Sequence, residues 1–135
     1  MKKIIWEDDF SVGVEELDRQ HQQIIEIINT LSDKPRLFRR FQNVSSALME
    51  LTNYVSEHFL LEEQLLHENG YPNLLEHSKK HTLYSNKIAD LCQGSLDGKR
   101  DVPTELINFL TDWWINHILH EDMQYKAFFK EKGVK

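Results

Sequence analysis

The chain has 135 residues, of which 28% are charged and 40% hydrophobic, the balance of one ordinary globular domain with a substantial core. Its formal net charge of -6 argues against nucleic-acid binding, because phosphate contacts need a basic surface. The single cysteine excludes an internal disulfide, and no apolar run is long enough to cross a membrane or to form a signal peptide, so the sequence predicts a cytoplasmic protein.

Four breaks rich in glycine and proline divide the chain into an N-terminal arm and four long helices. The arm covers residues 1–12, with Trp6 and Phe10 expected to pack across the helices. Gly13 precedes the first helix, and Pro35 falls in the first turn of the second. The four helices are predicted at about residues 14–31, 36–69, 72–92 and 102–130 of a single domain, 1–135. No segment shows strand alternation, so we predict an all-α, up-down-up-down four-helix bundle.

Each predicted helix carries an apolar seam with steps of three and four residues, which is typical of a bundle core. Each seam also contains a histidine where an apolar residue belongs. The seam of the second helix comprises Phe41, Val44, Leu48, Leu51, Val55, His58, Glu62 and Leu65. The histidines on the other three seams are His21, His77, His81 and His117.

A bound metal explains these five histidines better than separate hydrogen bonds do. Each polar group buried without a partner costs on the order of 1–3 kcal/mol. Five such groups and a buried glutamate would consume a large share of a typical net stability of about 5–15 kcal/mol. A metal removes the cost by taking up the imidazole lone pairs and the carboxylate charge together.

The spacing of the candidate ligands supports a shared ion on three helices and leaves the fourth open. His58 and Glu62 are four residues apart, as are His77 and His81, so each pair projects from one helix face. After His117, helical spacing offers His120 or Glu121. Asp122 lies about 140° around an ideal helix from His117, although it shares a stripe with the apolar residues Ile115, Ile118, Tyr125 and Phe129.

The arrangement of these motifs resembles the hemerythrin family, and in particular its single-domain bacterial members. The resemblance covers nearly the whole chain: His21, His58-Phe59-Leu60-Leu61-Glu62, His77-Ser78-Lys79-Lys80-His81 and His117-Ile118-Leu119-His120-Glu121-Asp122. It implies a non-haem di-iron centre and selects Asp122 over Glu121. It further implies that one iron is held by His77, His81 and His117 and the other by His21 and His58. Glu62 and Asp122 would bridge the two irons together with a solvent-derived oxygen.

The function that the resemblance implies is reversible binding of dioxygen, in an oxygen carrier, store or delivery protein. A coordination position stays free on the iron that has only two histidines. Imidazole-rich ligand sets favour reversible binding over oxygen cleavage, so we expect no enzyme activity. The alternatives are an oxygen or redox sensor, and a di-iron enzyme acting on peroxide or nitric oxide. No feature identifies a protein partner.

Several residues near the predicted centre have simpler interpretations. Trp113 is expected to pack in the core against the metal end, and Glu57 and Glu63 are expected to be solvated. Trp114 has two readings: its indole narrows the route to iron, or it packs against the N-terminal arm.

Overall fold

The computed structural model describes residues 3–33 and 41–135. Helices α1 (Glu15–Asp33), α2 (Phe41–Glu68) and α3 (Leu74–Leu96) are each continuous. A fourth rod, residues 102–132, is built from several consecutive segments. The predicted start of the second helix at residue 36, with Pro35 in its first turn, and the Phe41 side chain lie outside what the structure describes.

The four rods form a closed ring of neighbours. Helix α1 packs against α2, α2 against α3, and the fourth rod against both α3 and α1. The described residues contain helices and turns with no strand, which confirms the predicted all-α four-helix bundle. In the same part of the chain, no helix is both long enough and apolar enough to span a membrane.

The fourth rod changes its helical winding along its length. It starts as an ordinary helix, α4 (Val102–Asp112), and widens into a π-helix over Trp113–Glu121. A 3-10 turn, Asp122–Tyr125, then leads into α5 (Lys126–Lys132). A π-helix joins residues five apart, and it is rare outside functional sites. The backbone N–H of Asp122 accordingly donates to the carbonyl of His117, five residues earlier.

Glycines mark most of the helix ends, with one difference from the prediction. Gly70 and Gly98, with φ angles of +74°, follow α2 and α3 in the left-handed conformation that glycine adopts without strain. The third helix, predicted to end at about residue 92, runs past Gly94. A Cβ atom at Gly94 would come within 3.1 Å of Val102 Cγ2, so the glycine allows the start of α4 to approach closely. Helix α3 therefore continues to Leu96.

The N-terminal arm lies across the bundle and is held by hydrogen bonds and by ring contacts. The side chain of Asn29 exchanges two 2.8 Å hydrogen bonds with the backbone of Ile4. The ring of Phe10 contacts Trp6 on one side, at 5.8 Å between centroids, and Trp114 on the other, at 5.3 Å. Of the two readings of Trp114, the structure therefore supports packing against the arm.

Two apolar clusters fill the bundle, one on each side of the seam histidines. The larger contains Ile24, Val55 and Ile118, and the smaller contains Leu17, Leu66 and Tyr125. Along α1, His21 lies between Leu17 of the smaller cluster and Ile24 of the larger one. On α2 and on the fourth rod, Glu62 and Asp122 likewise lie between the two clusters, and there the larger cluster comes first. At the end of the α2 seam the fully buried residue is Leu66, whereas the predicted Leu65 is half-buried. The bundle thus places a buried polar layer between two apolar clusters.

Candidate metal centre

The structure brings all seven predicted site residues into this polar layer. Helix α1 contributes His21, α2 contributes His58 and Glu62, α3 contributes His77 and His81, and the fourth rod contributes His117 and Asp122. All seven are buried, with His77 the most exposed at 6%. Their ligand atoms form two groups that share Glu62 and Asp122, and within each group these atoms lie within 4.8 Å of one another.

The larger group, which we call the three-histidine group, contains His77, His81 and His117. The Nε2 atoms of His81 and His117 lie 3.1 Å apart. His77 Nε2 and His117 Nε2 are each 3.2 Å from Asp122 Oδ1. His81 Nε2 is 3.0 Å from Glu62 Oε1, and His77 Nε2 contacts the same oxygen. Three imidazole nitrogens and two carboxylate oxygens therefore point at one small volume.

The second set, which we call the two-histidine group, contains His21 and His58. His21 Nε2 is 3.2 Å from Asp122 Oδ2, and His58 Nε2 is 3.2 Å from Glu62 Oε2. Their ring centroids are 5.0 Å apart. Both carboxylates thus direct one oxygen to each group, which is the arrangement that a bridging carboxylate needs.

The unpaired buried atoms show that these residues fit a cation. His21 Nε2, His58 Nε2 and both carboxylate oxygens of Asp122 are buried and make the 3.2 Å contacts described above, but none of them forms a hydrogen bond. Leaving such atoms unsatisfied costs about 1–3 kcal/mol each. Imidazole and carboxylate donors converging from opposite sides are the ligand types that iron takes in proteins. The donor set therefore suits two cations bridged by Glu62 and Asp122.

The change of winding in the fourth rod explains how Asp122 reaches the site. An α-helix would turn it about 140° away from His117. In the π-helix, residues five apart project from the same side, and both side chains are fully buried. Glu121, the alternative that spacing offered, instead lies outside the histidines, with its Oε1 3.5 Å from His117 Nδ1.

Aromatic side chains close the site on the side of the larger apolar cluster. The Phe59 ring stacks on His81 with 3.8 Å between centroids, and Tyr54 stacks on His58 at 5.6 Å. Trp113 is 1% exposed and lies 6.2 Å from the His117 ring, in the core position expected for it. These rings shield the polar layer from water.

Several hydrogen-bond partners around the site were not predicted. Gln20 Oε1 lies 2.7 Å from His58 Nδ1, and the Tyr125 hydroxyl donates to Glu62 Oε2 at 3.0 Å. Glu63 was predicted to be solvated, but its Oε2 lies 3.0 Å from His81 Nδ1 and its side chain is only 31% exposed. The prediction failed because spacing along α2 alone does not show that α3 packs against this carboxylate.

The charges of the site shift the pKa values of its own members. Burial by itself would raise the pKa of Glu62, but the surrounding imidazoles, His58 foremost, hold it well below its ordinary value. Burial would likewise lower the pKa of His77, but Asp122 and Glu62 raise it to about 10. Burial raises the pKa of the Tyr125 phenol, which therefore stays protonated and donates to Glu62. The carboxylates of Glu62 and Asp122, whose pKa values are both lowered, thus stay charged at the centre of the layer, as a cation site requires.

Comparison with known proteins supports the same interpretation. The model of the family described as "Hemerythrin HHE cation binding domain" matches residues 12–129. Bacteriohemerythrin of Stenotrophomonas maltophilia is 32% identical over 125 residues, which are 93% of this chain and 80% of the relative. Bacteriohemerythrin of Clostridium acetobutylicum is 27% identical over 125 residues, which are 90% of this chain and 97% of the relative.

A solved structure agrees with these relatives. A crystal structure of a hemerythrin mutant superposes with a TM-score of 0.83 at 28% identity, over 94% of this chain and 97% of that one. The chain therefore belongs to the hemerythrin family, and it is an oxygen-binding protein with a non-haem di-iron centre.

Proposed function

We propose that the seven converging side chains hold the two irons and that the protein binds dioxygen reversibly, as a carrier, store or delivery protein. The observation that carries this proposal is the position of the two carboxylates. Glu62 directs Oε1 to His81 and Oε2 to His58, and Asp122 divides its oxygens between His117 and His21 in the same way. Carboxylates that face two sets of histidines are expected in a site for two metals and not in a site for one.

The ligand assignment follows from these groups. His77, His81 and His117 would hold one iron, His21 and His58 would hold the other, and Glu62 and Asp122 would be shared by both. The iron pair, when bound, would supply the electrons and the binding position for dioxygen. The two-histidine group offers one imidazole fewer, so dioxygen would bind on that side.

The chain's own residues favour binding over turnover. Five neutral imidazoles against two carboxylates add little negative charge, and strongly anionic ligand sets are the ones that stabilise highly oxidised iron. The aromatic rings of Tyr54, Phe59 and Trp113 keep water away, so protons reach the site slowly. We therefore propose no enzyme activity. The single domain over residues 1–135 and the cytoplasmic location stay predictions.

The ligand set is tested by iron content. His81→Ala removes one imidazole from the three-histidine group, whereas the exposed His67 offers a matched control, His67→Ala. We expect the control to retain the two irons of the wild type and His81→Ala to lose a large part of its iron. Equal iron contents in both variants would show that the metals lie elsewhere.

The absence of enzyme activity is tested separately. Reduced protein is mixed with excess hydrogen peroxide or nitric oxide, and consumption is followed over many equivalents. We expect consumption to stop near the amount of iron present. Sustained turnover in the wild type that is lost in His81→Ala would show that the protein is an enzyme and not a carrier.

A further inference from the structure

The outer nitrogens of the site histidines have charged partners in one group only. In the three-histidine group, His81 Nδ1 lies 3.0 Å from Glu63 Oε2. His117 Nδ1 lies 3.5 Å from Glu121 Oε1, which is within ion-pair distance but does not form a hydrogen bond. Two of the three imidazoles are thus backed by a carboxylate.

Both carboxylates are held in place by a hydroxyl group from α3. The Ser78 hydroxyl donates to Glu63 Oε1, and the Tyr84 hydroxyl donates to Glu121 Oε1 at 2.8 Å. The side chains of Glu63 and Glu121 are 31% and 15% exposed, so both lie at the edge of the core. These contacts form two chains of hydroxyl, carboxylate and imidazole that end on the same group.

The two-histidine group has no such support. His58 Nδ1 contacts the neutral amide oxygen of the buried Gln20 at 2.7 Å. His21 Nδ1 is buried and has no hydrogen-bond partner. The difference between the groups thus lies in charge as well as in the number of imidazoles.

A carboxylate behind a ligating imidazole fixes the ring orientation and makes the ring a stronger donor to the metal. We propose that the three-histidine group holds its metal more tightly than the two-histidine group; this inference rests on the ligand set of the proposed function. Glu63 and Glu121 are positioning residues that produce much of this difference. The metal of the two-histidine group is consequently the first to leave.

Equilibrium with a chelator tests the inference on the iron-loaded protein. Samples are dialysed against rising chelator concentrations, and the iron retained by each chain is measured. For the wild type we expect a plateau at half of the iron content. Glu63→Gln should weaken the more tightly held iron about 10- to 100-fold, the range for outer partners of metal ligands, and leave the weaker step unchanged. Glu121→Gln should act in the same direction with a smaller shift, because its contact is longer.

The exposed Glu57, also on α2, provides the control, since Glu57→Gln removes an equal charge without touching the site. We expect it to keep the wild-type plateau. A wild-type curve without a plateau, or a plateau that Glu63→Gln and Glu121→Gln both leave in place, would overturn the inference. If Glu63→Gln loses helical circular dichroism, Ser78→Ala replaces it, because it frees the carboxylate without deleting it. If Ser78→Ala loses its more tightly held iron at a lower chelator concentration than the wild type, the inference is supported. An unchanged curve overturns it.

Histidine variants show which iron is held tightly. His21→Ala should keep the tightly held iron, and His77→Ala should lose it. The reverse order would contradict the inference and leave the two-iron site intact. If neither substitution alters the iron content, the proposed ligand set itself is wrong, so the two failures are distinguishable.

Discussion

At the scale of single residues, Tyr125 connects the polar layer to the smaller apolar cluster. Its ring is fully buried with Phe129, while its hydroxyl donates to the shared carboxylate of Glu62 at 3.0 Å. Hydrogen bonds to charged groups contribute about 1.5–3 kcal/mol each. Tyr125 therefore fixes the orientation of Glu62 without being a ligand.

Replacing this tyrosine tests that role. Tyr125→Phe keeps the ring and removes the hydroxyl, so we expect the iron-loaded protein to lose about 1.5–3 kcal/mol of unfolding free energy. Chemical denaturation followed by circular dichroism measures the loss. Tyr71→Phe, at a half-buried ring that packs against Tyr125, is the control and should lose less than half as much. Equal losses in both variants would mean that the hydrogen bond to Glu62 contributes nothing.

The sequence predicts the proposed metal-ligating histidines better than the residues that contact their outer nitrogens. A histidine on an apolar seam stands out because it breaks a periodic pattern, which is how His21, His58 and His117 become visible. Gln20 and Glu63 interrupt no seam, and their roles depend on which neighbouring helix they face. Gln20 adjoins His21 and Glu63 adjoins Glu62, but adjacency along a helix does not predict a contact across the bundle.

At the scale of elements, the π-helical part of the fourth rod determines which acid enters the site. A regular periodicity of 3.6 residues does not predict this local widening, because it places Asp122 about 140° around the helix from His117. The choice of Asp122 over Glu121 came from the resemblance to hemerythrins, and the structure provides its physical reason. The other helices form where the spacing of their apolar residues predicts them.

This element yields a direct prediction for Asp122. Asp122→Ala removes a carboxylate that we propose bridges the two irons, so we expect loss of at least one of them. Asp112→Ala, at an exposed acid on the same rod, should leave the iron content unchanged. Iron is measured per chain after purification from iron-replete cells. Full iron content in Asp122→Ala would exclude Asp122 as a bridge.

The N-terminal arm yields a second prediction at this scale. Because Trp114 is 4% exposed and packs against Phe10, Trp114→Leu should lower the unfolding free energy by about 1–3 kcal/mol through lost packing. The rate of azide binding to the ferric protein should stay near that of the wild type. Stopped-flow absorption and thermal unfolding measure the two effects. Faster azide binding without loss of stability would restore the alternative that Trp114 narrows the route to iron.

At the scale of the whole molecule, the bundle holds a charged layer between two apolar clusters. Without iron, the four helices must accommodate the buried carboxylate of Asp122 and imidazole nitrogens that make no hydrogen bond. Metal binding and folding are coupled in such sites. Removing iron with a chelator should therefore lower the melting temperature by roughly 4 °C for each 1 kcal/mol lost, the value between those for smaller and larger domains. An iron-free protein with an unchanged melting temperature would contradict this coupling.

The pH dependence of the iron-free protein is a further consequence. Its carboxylates raise the pKa of His77 to about 10, against an ordinary value of 6.5. A raised pKa in the folded state stabilises the protein below pH 6.5, and this stabilisation is lost as the pH rises towards 10. Iron-free protein should thus be less stable at pH 9.5 than at pH 7. The iron-loaded form should lose less, because His77 is then bound to metal. Denaturant midpoints at the two pH values test this, and identical pH dependence in both forms would contradict it.

Reversible uptake of dioxygen tests the central claim most directly. Protein reduced under argon is titrated with dioxygen, the gas is then removed, and the cycle is repeated while the absorption spectrum and the oxygen taken up are recorded. The two-iron centre predicts one dioxygen for each pair of irons and a spectrum that returns to that of the reduced form in every cycle. Irreversible oxidation in the first cycle, with no dioxygen released, would contradict it.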